Sequence, residues 1–324
     1  MIEEKAIIEE LQKADVNFKI AETGPARVYR VYNVCNAQDQ DRVVELASKL
    51  TGLKVLNANH CNSLTDEGAK AIGRMSGLEV LDVSLSSLKG TSFRHFKGLC
   101  QLQVLRAADV SSLSSGVPYL AGLKSLQELS FSGSDFDDAA LMHLQGNVEL
   151  DSLGASCTKL TGSGFQTFLP TNKLKRISAF GCPITRDGLD SIVSLSRLKD
   201  LCFSINKTDC DLDLLGVNWP ALETLDLSEV SVTSEILKEL AQIETLMWLR
   251  INETDLVNVD LSPINNLRSL EDLLLDSTDV SATQINKLVE LKKLNVIGLA
   301  GNNINPQDLA PLRAALPNCE IWCE

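Results

Sequence analysis

The sequence lacks features that mark several common classes of protein. Its 324 residues contain 30 lysines and arginines against 43 aspartates and glutamates, and the formal net charge is −13. A nucleic-acid binder needs clustered basic side chains to displace counterions from phosphates, and this chain has no basic run. Nucleic acid and anionic membranes are therefore poor partners for it. A protein partner with a basic surface suits the charge better.

Long apolar runs are also missing. No stretch approaches the roughly 18 apolar residues of a membrane span. The N-terminal segment MIEEKAIIEELQKAD is acidic and amphipathic, without the basic start and continuous apolar stretch of a signal peptide. We therefore expect a cytoplasmic protein, or a secreted or periplasmic one if a leader has been removed.

Cysteine and histidine are present without the spacings that most sites require. The nine cysteines are an odd number with no C-x-x-C, which is typical of free thiols in a reducing compartment. The three histidines, His60, His95 and His143, are far apart in the sequence. The phosphate-loop, dinucleotide-binding, nucleophile-elbow and H-E-x-x-H motifs are all absent. The sequence thus predicts neither an enzyme nor a bound cofactor or metal.

The sequence does contain a regular internal repeat. A pattern of the type L-x-x-L-x-L, in which other apolar residues replace some of the later leucines, begins eleven times, first with a step of 25 residues and then with steps of 24. Looser copies begin one 25-residue step before and after, at Val28 and Cys319. A unit of this size cannot bury its own leucines, so neighbouring units must stack on one another. The regular copies begin at Leu53, Leu78, Leu102, Leu126, Leu150, Leu174, Leu198, Leu222, Leu246, Leu270 and Leu294.

Each unit is predicted to form a short strand followed by a helical segment. In one unit, Leu222, Leu225 and Leu227 mark the buried positions of the strand and the turn after it. Farther along the unit, a threonine, serine or asparagine precedes an apolar helical run and is predicted to cap it. The unit at 198–221 is irregular, and we expect its outer segment to be 3₁₀ helix or loop. The predicted caps are Thr65, Thr161, Thr185, Thr233, Ser281 and Asn305, the last followed by Pro306.

These units resemble leucine-rich repeats from about residue 28 to the end. The segments LTDEGAKAIG (64–73) and ITRDGLDSIV (184–193) are similar to the ribonuclease-inhibitor-like, or cysteine-containing, subclass. Their 24-residue length is similar to the short repeats of bacterial proteins, including the GALA type. The resemblance implies an α/β solenoid, a right-handed horseshoe with parallel strands on its concave face and helices on its convex face. It also implies that the protein binds other proteins.

We expect one continuous domain in three parts. An N-terminal cap over 1–27 contains a helix over 2–14 and a strand at 16–20, twelve repeats occupy 28–318, and a closing strand occupies 319–324. Caps shield the exposed layers at the two ends of a solenoid. These parts use the whole chain and leave no room for a catalytic domain, which supports a non-catalytic role.

The ninth position of the units departs from the cysteine-containing subclass. It holds cysteine only at Cys61 and Cys182, and elsewhere it is mostly asparagine, serine or threonine. We predict that these side chains donate hydrogen bonds to backbone carbonyls of neighbouring turns, which need partners when buried. The polar members are Ser86, Ser134, Thr158, Asn206, Thr254, Thr278 and Asn302.

A candidate binding surface follows from the outward positions of the strands. Positions three, five, seven and eight of each unit are predicted to face the concave surface, and in one unit positions three and five are Trp248 and Arg250. Tryptophan and arginine often carry interface energy, and an acidic rim would attract a basic protein. We therefore predict that a basic partner docks around Trp248. The other members are Arg176, Phe180, Asp200, Asp226, Glu229, Glu253, Asp272 and Asp276.

The same residues also fit a plain solvated surface. Trp248 would then lie over Leu274 in the next unit, as apolar neighbours on adjacent strands do. Arg250 would only relieve the charge of Asp226, in an exposed pair worth about 0–1 kcal/mol.

Two further alternatives concern other residues. Cys157, Cys182 and Cys202 fall in consecutive units and suggest a metal- or redox-linked protein. Self-association through the terminal strand, near Ile321 and Trp322, would give the protein a structural role, although we expect a monomer.

Overall fold

A short strand lies at every regular copy of the leucine pattern. The computed structural model describes residues 2–20, 28–169, 173–203 and 219–323. The predicted outer segment of the unit at 198–221 lies almost wholly outside these residues. The same holds for a turn that Gly24 and Pro25 predict. The chain divides into two compact units, residues 1–160 and 161–324, and each is described by itself.

The described residues of the first unit form seven strands that pair in sequence order. The first two strands pair antiparallel, whereas the second to the seventh are parallel. The strands are β1 (Asn17–Ile20), β2 (Val28–Tyr32), β3 (Val55–Asn57), β4 (Val80–Asp82), β5 (Val104–Arg106), β6 (Glu128–Ser130) and β7 (Ser152–Gly154).

The described residues of the second unit also form seven strands. All of them are parallel, and each pairs with the next in the sequence. They are β8 (Arg176–Ala179), β9 (Asp200–Phe203), β10 (Thr224–Asp226), β11 (Trp248–Arg250), β12 (Asp272–Leu274), β13 (Val296–Gly298) and β14 (Glu320–Trp322).

Helices between the strands are short, and several repeats have 3₁₀ turns such as Gly90–Gly98 and Ser262–Asn266 instead. Helical segments of consecutive repeats pack side by side within each unit. The first helix and β1 lie where the sequence predicts a helix and a strand, while the division into caps and twelve repeats stays a prediction. The helices are α1 (Ile2–Lys13), α2 (Gln40–Ala47), α3 (Asp66–Ile72), α4 (Asp138–Met142), α5 (Arg186–Val193), α6 (Ser234–Leu240), α7 (Ala282–Ile285) and α8 (Ala310–Ala315).

The leucines of the pattern form the core. Leu225 and Leu249 are 1% exposed and Leu273 is fully buried. Trp248, which directly precedes Leu249 in the sequence, is 51% exposed. Alternate strand residues point to opposite sides of a sheet, so this burial confirms the predicted register of these strands. The residues at positions three and five therefore face solvent.

Most of the predicted helix caps are confirmed. The Thr233 hydroxyl accepts a hydrogen bond from the Ile236 N–H, and Thr65, Thr185 and Asn305 accept equivalent bonds. Ser281 forms a full capping box with Gln284. These caps satisfy N–H groups that have no partner inside the helix.

The prediction for Thr161 is wrong. The residue that caps the 3₁₀ segment Ser163–Phe168 is Gly162, whose φ is 92°. A Cβ atom at this glycine would lie 2.9 Å from the Cα of Gly188, so the two backbones need a glycine in order to approach. Close approach and a positive φ together explain why glycine, rather than threonine, occupies the cap.

The prediction for polar side chains at the ninth position is confirmed in part. Thr254 donates to the Val230 carbonyl of the preceding repeat at 3.0 Å, whereas Thr158 donates to the Ala155 carbonyl of its own repeat at 2.7 Å. Ser86 differs, because its buried hydroxyl has no hydrogen-bond partner in the described part of the chain.

The eighth position has a conformation that the repeat pattern does not predict. Its φ is positive in every regular copy where it is described, and where it is not glycine this is a left-handed conformation that costs side chains energy. This conformation is explained by a hydrogen bond between repeats. The N–H group at the eighth position donates to a backbone carbonyl of the next repeat. The Leu85 N–H donates to Ala108 at 2.8 Å and the Glu253 N–H to Asp276 at 2.9 Å. The members are His60, Leu85, Asp109, Gly133, Cys157, Gly181, Glu229, Glu253, Ser277 and Gly301.

Leu85→Asn should stabilise the protein. Leu85 has a φ of 54° and is 41% exposed, and asparagine adopts this conformation at lower cost. We expect a gain of about 1 kcal/mol in the free energy of unfolding, measured by denaturant titration. Leu169→Asn is the matched control, because Leu169 is similarly exposed with an ordinary φ of −54°. An equal gain in both variants would show that the backbone conformation is not responsible.

Asn302→Ala should destabilise the second unit. Its amide donates to the carbonyls of Leu275 and Leu299 at 2.7 and 3.0 Å, and its oxygen accepts from the Thr278 N–H at 3.0 Å. Alanine would remove these bonds and leave the N–H groups of Thr278 and Val280 without the oxygen that accepts from them, at a cost of about 2–4 kcal/mol. Thermal unfolding would measure the loss, with the exposed Asn258→Ala as control. Equal stability of the two variants would contradict this role.

Candidate functional site

The predicted binding residues lie on the solvent-facing side of strands β8 to β14, which we call the sheet face. Strand pairing places Trp248 between Thr224 and Asp272, and it places Arg250 between Asp226 and Leu274. Adjacent strands are about 4.8 Å apart, so these side chains are immediate neighbours.

Trp248 projects from the sheet face without a cover. Half of its surface, 51%, is exposed. Leu274 lies directly opposite Arg250 rather than opposite the tryptophan. One methyl group of Leu274 lies 2.8 Å from where a Cβ on Gly298 would be, so this leucine leans towards β13 and away from Trp248. The register therefore does not favour the alternative in which Trp248 packs on Leu274.

Arg250 and Asp226 form an ion pair across neighbouring strands. The guanidinium Nη1 is 3.2 Å from Oδ2 of Asp226, whose side chain is only 17% exposed. The other carboxylate oxygen accepts bonds from the Ser228 N–H at 3.0 Å and the Ser228 hydroxyl at 2.6 Å. Arg250 thus offsets the charge of Asp226, as the alternative of a plain solvated surface predicts. Each carboxylate oxygen of Asp226 has a partner.

The carboxylate of Asp276 is hydrogen-bonded to the backbone of the next repeat. Its Oδ1 accepts from the Ala300 N–H at 2.8 Å, and its own N–H donates to the Asn252 side-chain oxygen at 2.9 Å. Position seven of consecutive repeats therefore forms a ladder from one turn to the next. Sequence reasoning missed this role, although the polar residues at this position in successive units, such as Ser228, signal it.

Asp272 has no such partners. It is half-buried beside Trp248, and burial raises its pKa, with a further increase from the charge of Glu271. Within the described residues, no cation or hydrogen-bond donor contacts its carboxylate. Asp272 is thus a carboxylate on the sheet face whose charge is not compensated by the part of the chain that the structure describes.

The remaining predicted residues lie farther away or at the strand ends. Glu229 and Glu253 are exposed at the left-handed turns that follow β10 and β11. Asp200 lies two strands from Trp248, about 10 Å, and Arg176 lies three strands away, about 14 Å. Phe180 is half-buried after β8. The structure therefore brings together Trp248, Arg250, Asp226 and Asp272, and it separates Arg176 and Phe180 from them.

Burial argues against a reactive thiol at Cys202, one of the three cysteines of the metal or redox alternative. Burial raises the pKa of Cys202 to about 11, and the charge of Asp226 adds to this. Such a thiol is protonated at neutral pH, whereas the thiolate is the nucleophile and the metal ligand. Cys182 is buried, and Cys157 is exposed in the first unit. No metal-holding group of three or more histidine, cysteine, aspartate or glutamate side chains occurs among the described residues.

Trp322 belongs to the same face as Trp248. Its partner in β13 is Gly298, so it takes position five of its repeat, and it is 51% exposed. The predicted start of this copy at Cys319 is one residue late, because the pairing shows a 24-residue step. The sequence analysis placed Ile321 and Trp322 together at a self-associating end. In the structure Ile321 pairs with the core residue Ile297, and Trp322 points to the opposite side.

Comparison with solved structures places this geometry among known folds. An internalin, inlF of Listeria monocytogenes, is 16% identical, with 98% of this chain and 93% of that one covered and a TM-score of 0.63. A leucine-rich-repeat protein of Leptospira interrogans is 19% identical, with 85% of each chain covered and a TM-score of 0.50. The chain has the leucine-rich-repeat fold. A third solenoid, in the TLR13–ssRNA13 complex, is 17% identical, with 85% of this chain and 47% of that one covered and a TM-score of 0.55.

Sequence comparison adds no relative to this solenoid. No family model matches the sequence, and no curated protein matches it either. In the described parts of the chain, no helix has the length and apolar character to cross a bilayer.

Asp272→Asn should make the solenoid more stable at neutral pH. The raised pKa means that ionisation of Asp272 opposes folding, so stability is lost as the pH rises from the ordinary pKa of 3.8 through the folded value. The variant should therefore unfold at a higher temperature than the wild type at pH 7. Its advantage should vanish at about pH 3, where Asp272 is protonated in both states.

The exposed Glu244→Gln is the control for charge removal alone. We expect it to change the unfolding temperature little at either pH. A gain at Asp272 that persists at low pH would contradict the electrostatic explanation.

Proposed function

We propose that this solenoid is a non-catalytic binding protein whose sheet face takes a protein partner with a basic surface. The observation that carries the proposal is the half-exposed Trp248 beside the uncompensated carboxylate of Asp272. A large indole offers apolar contact area, and tryptophan is prominent among residues that dominate interface energy. The neighbouring carboxylate supplies a charge that a basic partner would offset.

The charge balance of this face decides which partner suits it. Arg250 forms an ion pair with Asp226, and the carboxylate of Asp276 accepts a hydrogen bond from the backbone. Glu229 and Glu253 are exposed on the turns beside them and add negative charge. A basic surface would be attracted to this face, whereas an acidic one would be repelled.

The known relatives of the fold permit more than one class of partner. The TLR13–ssRNA13 complex contains RNA. The net charge of −13 on the present chain opposes binding to phosphates, which favours a protein partner here. We extend the proposal to a monomeric cytoplasmic protein whose repeats belong to the ribonuclease-inhibitor-like, bacterial GALA type.

Trp248→Ala should weaken capture of the partner without unfolding the protein. Wild-type and variant protein, immobilised on beads, would capture proteins from the source lysate, with quantification by mass spectrometry. We expect a basic protein whose recovery falls at least tenfold in the variant, because a hot-spot tryptophan contributes about 2 kcal/mol or more. Its recovery should also fall as the salt concentration rises, because charge attraction is screened.

Val257→Ala is the matched control. Val257 is 50% exposed in the second unit but lies outside the strands of the sheet face. The Val257→Ala variant should recover as much of the partner as the wild type does. If the Trp248→Ala variant recovers as much of the partner as the wild type does, the proposed site is wrong.

A further inference from the structure

We propose that the docking surface extends across three further strands to Trp322 and takes a basic amphipathic helix of the partner. This inference rests on the function proposed above. We define the tryptophan strip as Trp248, Leu274, Val296 and Trp322. Asp272 borders this strip and would face a lysine or arginine of the helix.

Strand pairing places the strip in two neighbouring rows of the sheet face, with Trp248 and Val296 in one row and Leu274 and Trp322 in the next. Trp248 in β11 and Trp322 in β14 are separated by three strand spacings and by two residues along the strand, or about 16 Å. Between them lie Leu274 in β12 and Val296 in β13, both half-buried apolar side chains on the same face. Leu274 also reaches over Gly298, which has no side chain of its own to interrupt the strip.

Nothing in the described residues of the second unit explains the exposure of the two indoles at the ends of this strip. Each of the two indoles is 51% exposed, although the third tryptophan of the chain, Trp219, is only 2% exposed. Contiguous exposed apolar patches with a polar rim mark interaction sites on soluble proteins. Two exposed tryptophans at the ends of one apolar strip are therefore better explained by a partner than by solvent.

The border of the strip identifies the charge of its occupant. Asp272 lies in the row between Trp248 and Val296, and Glu320 occupies the same row in β14. Glu320 also accepts the indole N–H of Trp322 at 3.4 Å, which holds that ring beside a carboxylate. Cations are attracted to the faces of indole rings as well as to carboxylates. The occupant therefore carries lysine or arginine beside its apolar side chains.

The length of the strip favours a helix as the occupant. A span of about 16 Å corresponds to about eleven residues of helix at about 1.5 Å each. Apolar side chains at helical spacing would contact both tryptophans, and basic side chains along their border would face Asp272 and Glu320. A second copy of this chain suits the strip less well, because two molecules of charge −13 repel each other.

The test uses a fluorescein-labelled peptide of about 14 leucines and lysines arranged as an amphipathic helix. A peptide of the same composition with its order scrambled and a leucine–glutamate peptide are the matched probes. We expect the amphipathic basic peptide to bind the full chain by fluorescence anisotropy and to shift the tryptophan emission to shorter wavelength. The scrambled peptide should bind at least tenfold more weakly, and the acidic peptide should not bind.

Trp248→Ala and Trp322→Ala should each weaken binding of the basic amphipathic peptide about tenfold, while Val257→Ala should leave it unchanged. Asp272→Asn should weaken it about threefold at low salt and less at high salt. Circular dichroism would verify folding, and Trp322→Gln would replace the alanine variant if the latter unfolds.

The outcomes separate this inference from the function on which it rests. Weakening by Trp248→Ala but not by the Trp322 variant would overturn the strip and leave the proposed function standing. An unchanged affinity in both variants would overturn both. Equal binding of the scrambled peptide, or no binding of the amphipathic one, would overturn the helical occupant. Self-association that Trp322→Ala abolishes would assign the strip to a second copy and also overturn the inference.

Discussion

The burial of alternate strand residues is the constraint on which this protein depends. Leu225, Leu249 and Leu273 are buried at successive strands, so their neighbours in sequence must point to solvent. Parallel pairing then aligns equivalent residues of consecutive repeats in rows across the sheet. A residue gains its neighbours from the repeats before and after it, which places Trp248 beside Asp272.

The polar residues on the sheet face divide into those that support the fold and those that do not. Asp226 and Asp276 contact a side chain or backbone of an adjacent repeat. Asp272, which has the same chemical group, has its pKa raised by burial and by the charge of Glu271. A carboxylate whose ionisation opposes folding, next to an exposed indole, fits the proposed binding site better than it fits a structural bridge.

Much of the architecture could be predicted because it follows from local rules. The 24-residue step predicts the strands, and threonines such as Thr233 are strong helix caps wherever a helix begins. Thr161 is an exception, since the close approach of Gly162 and Gly188 comes from two repeats and overrides the local preference. The left-handed eighth position escaped prediction for the same reason, because its hydrogen bond goes to the following repeat.

The sequence by itself determined the repeat, the buried leucines and the side of the sheet on which Trp248 and Arg250 lie. Only the tertiary structure decided which carboxylates are engaged and that Trp322 shares the face with Trp248. The physical reason is distance along the chain. Arg250 meets Asp226, and Asp276 meets Ala300, across 24 residues of sequence. Such partners become neighbours only when the strands are paired in register. An alignment of the closing copy that is wrong by one residue places Trp322 in the core instead of on the sheet face.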